Sequence, residues 1–244
     1  MEILMRGENL KQHLDNVALH YDECTFWEKY VQKCGEMILD DVRDKTVLEM
    51  GCSKLIVSKM LATVAKTFEI VEGSQFFCDY ANKYFGNTVV VHQSLFEDFV
   101  PVQKYEAIVF TNTLHHLANP EEILIRTKNW LSSDGVVYIT VPNMLSLHRR
   151  LGVKMGYLND VFDSTERNNI YYQPGRFTKE SLINLCQSCG FSVQKCFGFF
   201  LKPFSDEQME LLNPSNELMD ALCEQGKEFE ELSALLYIEI KANR

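Results

Sequence analysis

The chain has 244 residues, of which 46% are hydrophobic and 24% are charged, and it holds only 12 glycines and 6 prolines. This composition is typical of a globular protein and excludes collagen-like or extensively disordered chains. The formal net charge of −10 disfavours a nucleic-acid partner, because binding to phosphate backbones requires a basic surface.

Short apolar runs and helical spacing of apolar residues alternate along the chain. They predict strands at residues 46–50, 68–71, 88–92, 105–110, 135–141, 191–200 and 235–241, with helices at 54–66, 75–84, 120–131 and 178–190. Near-continuous apolar strands that alternate with helices indicate a mainly parallel seven-stranded sheet with helices on both faces. We expect one domain over residues 1–244, with a helical segment at 1–45 and an insertion at 143–177 after strand five.

The predicted helix at 75–84 is rich in aromatic residues. Phe76, Phe77, Tyr80 and Tyr84 fall on one helical face and are expected to pack in the core.

No apolar run reaches the roughly 18 residues of a membrane helix, and the N-terminus lacks a signal-peptide pattern. We therefore expect a cytoplasmic protein with no membrane partner. Of eight cysteines only Cys186 and Cys189 form a close pair, and a zinc site would need a second pair of ligands. Free thiols and no metal are expected.

Charge is distributed unevenly near the C-terminal half of the chain. Residues 205–231 contain nine acids and one lysine, whereas residues 144–179 contain six arginines and lysines against three acids. The basic stretch is either a contact for an anion or solvated surface charge.

An acid lies next to the carboxyl end of each of the first two predicted strands. Glu49 and Gly51 lie at a strand-to-helix turn, and Glu72 and Gly73 follow the second strand. Glycine permits a tight turn and close approach of a ligand to the backbone. An acid at the position of Glu72 can accept both hydroxyls of a ribose, although the dinucleotide fingerprint G-x-G-x-x-G is absent.

This pattern resembles class I S-adenosylmethionine-dependent methyltransferases. Their acid-x-Gly-x-Gly-x-Gly motif corresponds here to Glu49-x-Gly51-x-Ser53-x-Leu55, and the residues Leu114–Pro120 resemble their motif after strand four. The resemblance implies a Rossmann-like methyltransferase fold, methyltransferase activity and S-adenosylmethionine as the cofactor. It also implies the cofactor-binding residues Glu49, Gly51, Cys52, Ser53, Glu72, Gly73, Ser94, Leu95, Asn112 and Thr113.

The chain departs from the family pattern at several positions. Ser53 and Leu55 replace two glycines, and Leu55 could point away from the cofactor as the first apolar residue of the helix. His115 replaces the glutamate that helps some relatives bind a metal, so no metal is expected. The loop after strand three lacks the acid that often holds the adenine amino group, which leaves Ser94 or a backbone carbonyl for that role.

The acceptor side is predicted from position and residue type. If the acceptor is a hydroxyl, His116 and His148 are the candidate bases; an amine or a phosphate-type oxygen would need none. The residues expected to contact an acceptor are Arg149, Arg150, Tyr171, Tyr172 and Arg176. Solvated arginines paired with acids of the insertion are the alternative.

Residues 146–151, 164–167 and 200–209 resemble methyltransferases of bacterial surface-polysaccharide clusters, which are related to the O-methyltransferases of quinone biosynthesis. This resemblance implies a small acceptor. The basic stretch of the insertion, on the ligand side of the predicted sheet, indicates an anionic one, such as a nucleotide-linked sugar or a phosphorylated intermediate. A non-catalytic scaffold that binds a partner protein through residues 205–231 is the alternative, and a nucleic-acid methyltransferase is a weaker one.

Overall fold

The computed structural model describes residues 7–19 and 25–243, and a single sheet forms its centre. Its strands are β1 Thr46–Met50, β2 Thr67–Glu72, β3 Val90–Gln93, β4 Tyr105–Thr111, β5 Leu131–Pro142, β6 Phe191–Phe199 and β7 Leu235–Ala242. They lie in the order β3-β2-β1-β4-β5-β7-β6, and β7 runs antiparallel to both of its neighbours. The predicted seven-stranded, mainly parallel sheet is confirmed.

Helices cover both faces of this sheet. They are α1 Gly7–Leu19, α2 Thr25–Glu36, α3 Ile56–Val64, α4 Gln75–Phe85, α5 Pro120–Lys128, α6 Leu147–Lys154, α7 Glu166–Ile170, α8 Lys179–Ser188, α9 Asp206–Leu212 and α10 Asn216–Glu228. One apolar layer includes buried residues of α2, α3, α4 and α10, and the opposite layer includes residues of α5 and α8. None of the described helices combines the length and the apolar character that crossing a membrane requires.

The chain between α5 and β5 differs from the prediction. The sequence placed a helix to about Leu131 and a strand from Gly135, whereas α5 ends at Lys128 and β5 already begins at Leu131. The register of β5 against β4 shifts here, and a Cβ on Gly135 would lie 2.8 Å from the carbonyl oxygen of Tyr105. Gly135 therefore allows a close backbone approach inside an irregular strand and does not end the helix.

The two charged segments contain helices that the sequence analysis did not assign. The insertion at 143–177 holds α6 and α7, and the acidic segment at 205–231 holds α9 and α10. The carboxylate of Glu210 in α9 accepts a hydrogen bond of 2.7 Å from the amide of Phe26 at the start of α2. A carboxylate at this position stabilises the positive end of a helix dipole, so the acidic segment packs against the chain itself.

Helix α1 lies over the carboxyl ends of the parallel strands. Its Asp15 accepts hydrogen bonds from the hydroxyl of Ser74, at 2.7 Å, and from the amide of Phe76, at 3.3 Å. These contacts attach α1 to the first turn of α4. Residues 1–6 and 20–24 of the predicted helical segment lie outside the described residues.

Candidate active site

A cavity opens at the carboxyl ends of β1, β2 and β4, beneath α1. Nine of the ten predicted cofactor residues line it, namely Glu49, Gly51, Cys52, Ser53, Glu72, Gly73, Leu95, Asn112 and Thr113. Ser94 does not line it, and its hydroxyl donates a hydrogen bond of 2.8 Å to the carbonyl of Leu95. The ends of parallel strands thus bring together residues that are distant in sequence.

The carboxylate of Glu72 joins two loops at the cavity wall. It accepts hydrogen bonds from the amide of Cys52, at 3.1 Å, and from the amide of Ser74, at 2.9 Å. Burial raises the pKa of Glu72, and the two amide donors oppose that rise. The thiol of Cys52 is a third donor, 3.6 Å from Oε2, so about one of the roughly four lone-pair sites of the carboxylate remains for a ligand.

Glu49 carries a buried carboxyl group in the same wall. Its exposed fraction is 2%, and its Oε2 atom has no hydrogen-bond partner among the residues that the structure describes. Burial, with the nearby Glu72, raises the pKa of Glu49 to about 8. A buried acceptor without a partner is costly, so this oxygen indicates a ligand with a donor or a positive charge.

The turn after β1 keeps the backbone shape of a glycine-rich loop without two of its glycines. Gly51, Ser53 and Leu55 have φ angles of 83°, 43° and 67°, in the left-handed region that favours glycine. Each non-glycine residue in this region costs about 1–2 kcal/mol. Leu55 is fully buried in the core and does not line the cavity, as one of the sequence interpretations held.

His116 lies on a 3-10 turn, Leu114–His116, that follows β4 and lines the cavity. Its Nδ1 atom is 2.9 Å from the carbonyl oxygen of Tyr171. Because a carbonyl only accepts, Nδ1 carries the proton, and Nε2 keeps a lone pair. Burial lowers the pKa of His116 to about 4, against the effect of hydrogen bonds to the backbone of Tyr171 and Tyr172, so the ring is neutral above that pH.

His115 lies beside His116, and the centres of the two rings are 4.3 Å apart. The side chain of His115 is buried, and its Nδ1 atom has no hydrogen-bond partner within the described ranges. Burial lowers the pKa of His115 well below its ordinary value, and the neighbouring His116 adds to this effect. The neutral side chain of His115 therefore lines the cavity next to His116.

Replacing Gly175 with alanine is expected to lower the free energy of unfolding by about 1–3 kcal/mol, the usual range for overpacking. The amide of Gly175 donates a 2.9 Å hydrogen bond to the carbonyl of His115, and an added Cβ would lie 2.7 Å from the Cα of His115. Urea denaturation measures the effect. Gly152→Ala is the control, because a Cβ there meets Leu158 at an ordinary 3.4 Å. Equal stability of the two variants would contradict the expectation.

Four residues of the predicted acceptor site lie outside the cavity. Arg149 donates from Nε to the carbonyl of Val161, and Arg150 donates to the carbonyl of Leu145 at 2.7 Å. Arg176 donates to the carbonyl of Gln173 and, at 3.0 Å, to the hydroxyl of Ser164. His148 is near Lys202 and Asp206, and burial lowers its pKa well below the ordinary value.

We therefore no longer assign Arg149, Arg150, Arg176 or His148 to the acceptor, because the three arginines bind the backbone and a side chain of their own insertion. Tyr171 and Tyr172 do line the cavity.

Across residues 7–19 and 25–243, no three His, Cys, Asp or Glu side chains are grouped to hold a metal ion.

Three charged or titratable residues of the cavity wall were not predicted. His13 lines the cavity from α1 and meets the ring of Tyr172 edge-on at 5.9 Å. Glu97 supplies a carboxylate from the loop after β3, and Arg167 lines the wall from α7. Helical spacing of residues 10, 13, 14 and 17 is a signal that could have placed His13 on the lining face of α1.

The chain is similar in sequence to known methyltransferases. Residues 19–195, more than half of the chain, match a family model described as a methyltransferase domain. A ubiquinone biosynthesis O-methyltransferase from Actinobacillus pleuropneumoniae serotype 7 is 24% identical over 174 residues, which are 67% of this chain and 72% of the relative.

Solved structures show the same fold at low sequence identity. The CcbJ methyltransferase from Streptomyces caelestis aligns with a TM-score of 0.63 and 14% identity, over 95% of this chain and 98% of that one. A 1,6-didemethyltoxoflavin-N1-methyltransferase from Burkholderia thailandensis, solved with S-adenosylhomocysteine, aligns with a TM-score of 0.64 and 12% identity, over 100% and 94% of the two chains. The predicted Rossmann-like methyltransferase fold is confirmed, and the chain belongs to the methyltransferase domain family, as an S-adenosylmethionine-dependent enzyme.

Proposed function

We propose that this enzyme transfers a methyl group to a hydroxyl of a small, anionic metabolite. The observation that carries the proposal is the neutral ring of His116 in the cavity wall. Its Nδ1 atom is occupied by the carbonyl of Tyr171, so the lone pair of Nε2 remains to accept the proton of an acceptor hydroxyl.

The cavity has the acceptors that S-adenosylmethionine requires. The cofactor carries a sulfonium, an ammonium and two ribose hydroxyls. Glu49 offers a buried oxygen without a partner, and Glu72 offers a carboxylate held by two amides. We assign the cationic groups to Glu49, the ribose hydroxyls to Glu72 and the adenine amino group to Glu97. When bound, the cofactor supplies a methyl group that its sulfonium already activates.

The remaining residues position the acceptor and exclude water. Helix α1 covers the cavity, and Tyr171 and Tyr172 line it from the insertion. Holding a hydroxyl next to the cofactor in a covered cavity supplies much of the rate enhancement of a transfer between two bound molecules. His116 then takes the hydroxyl proton on Nε2, which requires the unprotonated ring.

The ubiquinone biosynthesis O-methyltransferase among the relatives supports a hydroxyl acceptor, and the N1-methyltransferase among the structures makes nitrogen the competing acceptor. Nucleotide-linked sugars and phosphorylated intermediates remain our candidate acceptors, with a role in surface-polysaccharide synthesis in the cytoplasm. The test incubates enzyme and cofactor with nucleotide sugars, sugar phosphates, hydroxycarboxylates and amines. Mass spectrometry of each product identifies a mass gain of one methylene and the methylated atom. Methylation of amines alone would contradict the proposal.

Glu72→Ala is expected to weaken cofactor binding by about 1.5–3 kcal/mol, which is roughly 10–150-fold in the dissociation constant. The variant loses a carboxylate that hydrogen-bonds charged or hydroxyl groups at the cavity wall. Isothermal titration with S-adenosylhomocysteine measures the change. Asp79→Ala is the matched control, because Asp79 is exposed on α4 and does not line the cavity. Unchanged affinity of the Glu72 variant would show that the ribose assignment is wrong.

A further inference from the structure

The guanidinium of Arg167 lies close to two aromatic rings in the cavity wall. Its guanidinium carbon lies 4.9 Å from the ring centre of Trp27 in α2 and 5.1 Å from that of Tyr171. Cation–π contacts with two rings favour this position of the guanidinium and do not use its N–H donors. Among the described residues that line the cavity, Arg167 is the only lysine or arginine.

The charge of Arg167 is not neutralised by a dedicated acid. The carboxylate of Asp206 is 3.8 Å away, and it forms a closer ion pair with Lys202. Within the part of the chain that the structure describes, the guanidinium donates no hydrogen bond, and its side chain is 33% exposed. Two cations therefore share one carboxylate, and the donors of Arg167 remain for a ligand.

The cavity has opposite charges at its two ends. Glu49 and Glu72 occupy the wall at the ends of β1 and β2, whereas Arg167 approaches from the insertion. Carboxylates repel an anion and attract a cation, so an anionic group is favoured only at the Arg167 end. Tyr171 connects this end to the base, since its ring stacks on Arg167 and its carbonyl binds His116.

We propose that Arg167 binds a carboxylate or phosphate group of the methyl acceptor and thereby selects anionic acceptors. The proposal rests on the proposed function and identifies the residue that recognises the acceptor. A guanidinium fork matches both anions with two parallel hydrogen bonds, which an ammonium cannot do. Because two rings already contact the guanidinium, less side-chain entropy is lost when the anion binds.

The test uses the fluorescence of Trp27, which contacts Arg167. Trp130→Phe removes the other of the two tryptophans of the chain. The full chain, saturated with S-adenosylhomocysteine, is titrated with phenyl phosphate, with benzoate and with neutral benzyl alcohol. We expect a saturable change with at least one anion. Arg167→Gln is expected to weaken binding of that anion at least tenfold and to leave binding of benzyl alcohol unchanged, while Arg167→Lys restores part of the loss.

Arg150→Gln is the matched control, because this exposed arginine belongs to the same insertion and lies outside the cavity. It should bind the anions as the parent chain does. Comparing the binding of phenyl phosphate with that of benzoate shows whether the site recognises a phosphate or a carboxylate. Equal losses for anions and benzyl alcohol in Arg167→Gln would show that Arg167 only supports the wall, and unchanged anion binding would also overturn the proposal.

The experiments distinguish a failure of the proposed function from a failure of the Arg167 proposal. If Arg167→Gln loses the anion and no compound of the acceptor panel is methylated, the anion site stands and the proposed acceptor class is wrong. If the panel yields a methylated anion and Arg167→Gln leaves its KM unchanged, the function stands and the Arg167 proposal is wrong.

Discussion

His116→Ala is expected to lower kcat by about 10²–10⁴-fold, the range for loss of a positioned general base. The affinity for S-adenosylhomocysteine should change little, because the proposed cofactor acids lie on other strands. The low pKa of the His116 ring, about 4, predicts the pH profile as well. The base is in its active form above that pH, so with the cofactor kept saturating at every pH, kcat/KM for the acceptor should fall only as the pH approaches 4, with no inflection near the ordinary value of 6.5.

The measurement compares kcat of the variant and the parent chain on the acceptor found by mass spectrometry. His148→Ala is the control, because His148 was an equal candidate from the sequence but does not line the cavity. It should retain kcat, with folding of both variants checked by thermal unfolding. Full activity of His116→Ala would mean that the acceptor needs no base, as expected for an amine.

The sheet could be predicted because hydrophobic periodicity reports strand and helix directly. The predicted β1 has the observed bounds, Thr46–Met50, and Glu49, Gly51 and Glu72, at the carboxyl ends of β1 and β2, line the cavity. Carboxyl ends of neighbouring parallel strands must meet at one edge, so residues placed there by sequence are close in space whatever the loops do.

Periodicity does not show how deeply a helical face is buried. Of the four aromatic residues of α4 that were expected in the core, only Phe77 is buried, whereas Phe76, Tyr80 and Tyr84 are exposed. The ammonium of Lys59 lies 4.8 Å from the ring centre of Tyr84 and gives this exposed ring a polar neighbour. The expectation that all four pack in the core is wrong.

The acceptor side could not be read in the same way, because the insertion at 143–177 folds through contacts among its own residues. Its basic character was evident, yet three of its arginines bind groups of the insertion and Arg167 reaches the cavity. What separates Arg167 from the others is its contact with Trp27, which comes from a helix about 140 residues earlier in the chain. No local pattern contains that information.

Cofactor affinity is expected to rise steeply with pH up to about 8. Without the cofactor, burial keeps the pKa of Glu49 near that value, above its ordinary 4.5. A cationic ligand favours the ionised carboxylate, so below pH 8 a proton must leave before the full attraction forms. The affinity should therefore fall by up to about tenfold for each pH unit below 8, with a proton released on binding. Calorimetry in two buffers with different ionisation enthalpies counts that proton.

Glu49→Gln tests whether this residue is responsible. The variant should bind S-adenosylmethionine about 10–150-fold more weakly above pH 8, the loss of a hydrogen bond to a charged group, and its affinity should depend less on pH. Any remaining dependence of the cofactor affinity on pH is attributed to Glu72, whose pKa is also raised.

Stability of the cofactor-free chain should change in the opposite direction. A carboxyl whose folded pKa is raised contributes stability below its ordinary pKa of 4.5, and that contribution is lost as the pH rises to about 8. Glu49→Gln has no carboxylate to ionise in the buried wall, so above pH 8 it should unfold at a higher urea concentration than the parent chain. A variant that bound the cofactor with the parent's pH dependence, or that was less stable than the parent above pH 8, would show that Glu49 is not the buried charge that the cofactor neutralises.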